Sequence, residues 1–173
     1  GGYGVDYMQK FCSTAEKEGL IDAVNVTGGW HEAPVPQISY QLPAGGFAYL
    51  ADAIKRAVNV PVIACNRINN IDTMEAILKN GMADFVGTAR GFLADPEFSR
   101  KVLEGVPYNR CQGCNKCIEA VLKGKSVVCA YNPEAGREVE EKTHRRVISA
   151  KKVIVAGAGP AGLEAAKKSA ERG

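Results

Sequence analysis

The chain has 173 residues, 46% of them hydrophobic and 24% charged, with a formal net charge of +3. That composition is neither disordered nor fibrous, and its length suits one core with a small second domain attached. A charge of +3, with no Lys/Arg run interleaved with aromatics, gives no case for nucleic acid. No apolar run approaches a membrane span, and Gly1-Gly2-Tyr3-Gly4 has no secretory pattern. The missing start Met and the abrupt end at Gly173 lead to the expectation that both termini are cuts.

In chain order, Val5 to Gly19 reads as a helix, with Val5, Met8, Cys12 and Ala15 at helical spacing and Gly19 as its stop. Ile21 to Thr27 is a β run ending in Gly28-Gly29, followed by a Pro/Gly-rich loop to Gly46. Phe47 to Val58 is helical, Val60 to Cys65 is a second strand, and Thr73 to Asn80 is a helix closed by Gly81. Ala83 to Thr88 is a third strand. Asp95-Pro96 then opens a helix to Glu104, with Asp as cap and Pro in the first turn. The strands are apolar on both faces, as in a parallel sheet covered by helices. The alternation fits either the last part of a (β/α)8 barrel, whose first five or so strands would be absent, or an open doubly wound sheet.

Pro107 to Asn132 is cysteine-rich with a short helical stretch, Ile118 to Lys123, and Glu134 to Ser149 is polar. The mixed-sign cluster from Glu138 to Arg146 reads as a solvated linker that also carries a solvated His144. Lys151 to Gly173 reads as strand, glycine turn and helix. The resulting divisions are 1–106, 107–135, 136–150 and 151–173.

Four of the six cysteines fall in Cys111-x2-Cys114-x2-Cys117-x11-Cys129. A tight loop can present three thiolates, and a later segment the fourth, to a 4Fe–4S cube. Four-cysteine zinc sites compete, although they favour two separated pairs. Unliganded core thiols fit poorly with so polar a local sequence. Cys12 and Cys65 read as small buried hydrophobes.

Lys152 to Ala156 followed by Gly157-Ala158-Gly159-Pro160-Ala161-Gly162 has the glycine spacing of a dinucleotide-binding turn between a strand and a helix. Arg67 and Arg90 follow the second and third strands, where two guanidiniums could clamp a phosphate. The competing reading pairs them with carboxylates such as Asp72 or Asp95. Trp30-His31-Glu32-Ala33-Pro34 follows the first strand, where barrel chemistry sits, and His31 could act on a proton or a developing oxyanion.

Taken together and in this order, Thr27-Gly28-Gly29-Trp30-His31-Glu32, Pro61 to Ile68, Ala83 to Pro96, the cysteine cluster and Gly157 to Gly162 resemble one family. They are similar to the large iron–sulfur members of the NADH:flavin oxidoreductase / old yellow enzyme family. These include 2,4-dienoyl-CoA reductase, enoate reductase, bile-acid-inducible flavin oxidoreductases and trimethylamine dehydrogenase. The resemblance covers nearly the whole chain. It implies an internal fragment comprising the C-terminal part of an FMN-binding (β/α)8 TIM barrel, an iron–sulfur segment and the first βα unit of a Rossmann-like FAD/NAD(P)-binding domain.

By position the resemblance assigns Arg67, Ala89 and Arg90 to the FMN phosphate, and Cys111, Cys114, Cys117 and Cys129 to the cluster. It assigns Gly157, Gly159, Pro160, Ala161 and Gly162 to FAD, and His31 to catalysis, with Trp30, Glu32, Ala33, Pro34 and Val35 bordering the substrate. The implied activity is NAD(P)H-dependent reduction of an activated C=C bond in a small unsaturated molecule, with a tyrosine proton donor outside this chain. Electrons would pass by way of FAD, the 4Fe–4S cluster and FMN. The alternatives are an amine dehydrogenase and a non-catalytic four-cysteine metal-binding or electron-transfer module. A cytoplasmic enzyme without nucleic-acid or membrane partners is expected. The chain by itself is expected to be inactive, and a homo-oligomer stays open.

Overall fold

A computed structural model describes residues 2–30, 32–141, 149 and 151–173. They divide into two compact units, 1–135 and 136–173.

In the first unit the elements are α1 (Val5–Lys17), β1 (Val24–Val26), α2 (Ala48–Lys55), β2 (Val62–Ala64), α3 (Ile71–Lys79), β3 (Phe85–Val86), α4 (Ala89–Ala94), α5 (Phe98–Glu104) and α6 (Lys116–Leu122). The helices start and stop for local reasons. Asn70 caps α3 by accepting a hydrogen bond from the Thr73 N–H at 2.9 Å. Gly19 after α1 and Gly81 after α3 both have φ +66. Each is followed by a residue whose N–H reaches back across the turn, Leu20 to Ala15 O and Met82 to Ile77 O. This left-handed closure is cheap only for glycine.

The three strands form one parallel sheet in the order β1-β2-β3. Val24 lies opposite Val62, Ala64 opposite both Val26 and Val86, and Ile63 opposite Phe85. Consecutive strands are therefore neighbours, as in a barrel wall, with no reversal of order among them. Strand residues alternate between faces. Val62 and Ala64 are fully buried under the helices, within a core that includes Ala51, Ile54, Met74, Ile77 and Phe98. The opposite face carries Asn25, Ile63 and Phe85 at one level, and Phe85 is 58% exposed. Burial on both faces was expected; among the described residues the helical side is the well-buried one. The same alternation corrects Cys65. It follows Ile63 by two residues, is only half-buried, and its thiol donates to Asn25 Oδ1 at 2.9 Å. Cys12 is 5% exposed, a core residue as expected.

The segment after β3 also departs from expectation. One helix from Asp95 was expected, yet two form, α4 and α5, separated at Asp95-Pro96. A residue before proline avoids helical backbone, and Asp95 is extended at φ −147. Rather than capping α5, its carboxylate is 98% buried and accepts from Glu97 N–H at 3.1 Å, Asn109 N–H at 2.9 Å and Lys101 Nζ at 2.7 Å. The Asn109 bond, with the edge-to-face stack of Phe92, Phe98 and Tyr108, fastens the chain just before the first cysteine of the cluster.

Burial pushes the Asp95 carboxyl up, but Lys101 and the two N–H donors outweigh it and leave its pKa below the ordinary value. Its contribution to stability is therefore fully present above the unfolded value of about 3.9 and is lost as pH falls through the lower folded value. Asp95→Ala strands those donors and is expected to cost about 3 kcal/mol at neutral pH. Chemical denaturation checks this; an unchanged midpoint at pH 7 would refute the role.

In the second unit, α7 (Glu138–Glu141) lies inside the stretch expected to be a linker, and α8 (Pro160–Arg172) follows the glycine turn. The strand expected over Lys152 to Ala156 is absent among the described residues. A strand requires a hydrogen-bonded neighbour, and the described residues of this unit form none. Ile154 is 93% exposed in consequence. His144 lies outside the described residues. No helix among the described residues is long and apolar enough to cross a membrane.

Candidate functional site

The C-terminal ends of β2 and β3 open into a cleft of 510 Å³. Its walls include Cys65 to Asn69 after β2, Gly87 to Arg90 after β3, and Ile38 from the loop after β1. Asn66 and Arg67 have left-handed backbone, φ 73 and φ 56, a conformation disfavoured for arginine and seen where surroundings enforce it. The Arg67 guanidinium donates through Nε and Nη2 to Leu42 O, at 3.0 and 2.8 Å, and through Nη2 to Tyr40 O at 3.3 Å. Its Nη1 is buried without a hydrogen-bond partner.

Arg90, which also lines the cleft, donates through Nη1 to Asn115 Oδ1 at 2.6 Å. Burial, and next the charge of Arg90, hold Arg67 below its ordinary pKa. Asp72 and Asp95 do not take up these arginines; Asp95 is paired with Lys101. Two mutually repelling guanidiniums, one with an unsatisfied N–H, form an arrangement suited to an anion with several acceptor oxygens. Close approach is built in at Gly87, where a Cβ would lie 2.7 Å from Cys65 Sγ.

Immediately beside the cleft, Cys111, Cys114, Cys117 and Cys129 line one small cavity together with Arg90, Gly113 and Asn115. All four are free thiols. Two sulfurs receive backbone N–H groups at 3.4 Å, Cys111 from Gly113 and Cys129 from Tyr131. Burial raises the Cys117 thiol above its ordinary pKa. Among the described residues no three His, Cys, Asp or Glu side chains converge as ligands of a single metal ion. Four free thiols around one cavity could ligate a metal centre, either a single ion or a polynuclear cluster.

The loop after β1 borders a third cavity, of 680 Å³, lined by Gly28, Gly29, Trp30, Glu32, Ala33, Pro34 and Gln37 among others. Trp30 is 68% exposed. Gly29, at φ +71, lets the loop fold back so that the Gln37 N–H bonds Gly29 O at 2.7 Å. Val35, expected at the substrate border, is not part of this lining. His31 lies outside the described residues.

In the second unit Gly157 is at φ +114, and a Cβ on Gly162 would meet Gly157 O at 1.9 Å. The turn therefore requires glycine at both positions. A Cβ on Gly159 would meet nothing within 4 Å, leaving its backbone open to an approaching ligand.

A family model for the NADH:flavin oxidoreductase / NADH oxidase family matches residues 8–109. The chain belongs to that family. Over 95% of its length it is 51% identical to a metal reductase of Desulforamulus reducens, of which it covers 25%. It is 35% identical over its whole length to an NADH oxidase of Thermoanaerobacter brockii, covering 27% of it. Among solved structures, a 2-naphthoyl-CoA reductase in complex with 2-naphthoyl-CoA superposes with a TM-score of 0.88 at 32% identity, over all of this chain and 27% of the other. The chain thus spans about a quarter of the length of these relatives. They are oxidoreductases, and the family is one of flavin enzymes.

The structure also brings forward residues that motif reading passes over. Asn69, Gly113 and Asn115 hold the cysteine loop against the cleft. A cysteine motif points to its sulfurs, and nothing in its spacing marks the residues between them. Cys65 joins the cleft wall because of strand alternation, which a single thiol in an apolar run does not reveal.

Proposed function

We propose that the full-length protein is an NAD(P)H-dependent flavin and iron–sulfur oxidoreductase that reduces an activated C=C bond. In this reading the first unit is the C-terminal part of a (β/α)8 barrel. The observation that carries it is the shared wall: Arg90 lines both the two-arginine cleft and the four-cysteine cavity. A phosphate-bearing flavin and a one-electron cluster placed there would be close neighbours.

Arg67 and Arg90, with the small-residue turn at Ala89, would hold the FMN phosphate. Cys111, Cys114, Cys117 and Cys129 would ligate the cluster. Gly157, Gly159, Pro160, Ala161 and Gly162 would meet the FAD pyrophosphate. When bound, these groups supply hydride and single-electron transfer. In balance, a C=C bond, NAD(P)H and a proton give a saturated C–C bond and NAD(P)+. Trp30, Glu32, Ala33, Pro34 and Val35 would border the substrate. His31 would donate a hydrogen bond to the carbonyl oxygen that gains charge, a contribution of about 3 kcal/mol for a single oxyanion donor.

The 51% identity to a protein named metal reductase favours a second reading, in which an oxidised metal ion is the electron acceptor. Anaerobic assays of the full-length protein separate the two. We expect NAD(P)H oxidation matched mole for mole by reduction of an α,β-unsaturated carboxylate such as cinnamate. Reduction of a ferric chelate without C=C reduction would favour the metal reading. Oxidation of an amine with no reductase activity would overturn both.

A further inference from the structure

We infer that the anion cleft and the four-cysteine cavity are energetically coupled through Asn115, which positions Arg90 on the wall common to both. The inference rests on the flavin and cluster reading above and adds a residue and a thermodynamic link to it.

Asn115 lies between Cys114 and Cys117 with left-handed backbone, φ 62, which asparagine and glycine tolerate best. Its Oδ1 accepts from Arg90 Nη1 at 2.6 Å, and its Nδ2 donates to Ile38 O. Both Arg90 and Ile38 line the cleft, while Asn115 and Arg90 line the cysteine cavity. One side chain thus spans the two sites.

Two further ties run parallel to it. Asn69 Nδ2, on the cleft wall, donates to Cys111 O at 2.6 Å. Gly113 is packed so closely on the Arg67 guanidinium that a Cβ there would lie 1.5 Å from Nη1. Positions 111, 113 and 115 of the loop are therefore all fastened to the cleft. An anion between Arg67 and Arg90 relieves their repulsion and fixes both guanidiniums, which fixes the loop that presents the thiols. A filled cysteine cavity fixes the same loop from the other side. Binding linkage is reciprocal, so each occupant raises the affinity of the other by one common factor.

The test is FMN binding to deflavinated full-length protein, with the cluster intact and after its iron has been stripped. In the parent, cluster removal is expected to weaken FMN binding about tenfold. In Asn115→Gly, which keeps the backbone conformation and deletes the side chain, the difference is expected to fall below about twofold. Asn115→Asp, which keeps the acceptor for Arg90, should restore most of it. Should Asn115→Gly not take up iron, Arg90→Lys, which leaves the loop backbone untouched, is expected to show the same loss of coupling. FMN affinity that ignores the cluster in the parent would overturn the coupling and leave the flavin reading intact. Full coupling in Asn115→Gly would overturn the role of Asn115. No FMN binding in either form would overturn the flavin reading and the coupling with it.

Discussion

If the four cysteines ligate an iron–sulfur cluster as proposed, replacing Cys129 with alanine in the full-length protein is expected to remove it. The parent, prepared anaerobically, should contain about four iron and four acid-labile sulfide per chain. Cys111 and Cys114 come from one short loop and Cys117 from the first turn of α6, whereas Cys129 comes from the segment beyond that helix. Without Cys129 a bound cube would have three cysteine ligands in place of four. The Tyr131 N–H that faces Cys129 Sγ at 3.4 Å also loses its acceptor. We expect iron and sulfide to fall by more than about half, with loss of the reduced-cluster electron paramagnetic resonance signal. Stoichiometric zinc without sulfide in the parent would sink the electron-transfer reading. It would leave a structural metal beside the cleft.

The second large effect concerns Arg67. Arg67→Met is expected to weaken FMN binding by about 100-fold, or about 2.7 kcal/mol, the scale of a lost charge-assisted phosphate clamp. Its effect on the flavin-free protein should be much smaller. The substitution removes bonds to Leu42 O and Tyr40 O. It also removes a buried Nη1 without a partner and the repulsion from Arg90. These terms oppose each other, so the flavin-free stability should change by no more than about 1 kcal/mol. Flavin fluorescence titration and flavin-free melting, measured together, decide it. Equal losses in both would mean that Arg67 is structural. Unchanged FMN affinity would move the phosphate elsewhere.

The contrast between these residues shows what a linear chain reveals. Cysteines in a tight spacing declare themselves because few other uses require that pattern. The glycines at 157 and 162 were legible for the same reason: one needs φ +114 and the other has no room for a Cβ. The arginines were ambiguous, since an arginine after a strand can pair with a carboxylate as readily as with a ligand. Only the fold shows Asp95 buried and committed to Lys101, which leaves Arg67 and Arg90 to line one cleft.

The sequence by itself determined the order of helices and parallel strands from α1 to β3, because apolar period, glycine stops and caps act within a few residues. It also determined the family, because motifs in fixed order are a property of the chain. The break at Asp95-Pro96 was readable in part: proline ends a helix locally, but burial of the aspartate and its three donors depended on Lys101 and Asn109 coming back to it. Tertiary structure alone decided that Arg90 serves two cavities and that Asn115 reaches Ile38, a residue 77 positions away. It alone decided that Lys152 to Ala156 forms no strand with the described residues. Each of these depends on a partner, present or absent, from a distant part of the chain, and pairing at a distance is set by packing rather than by local preference.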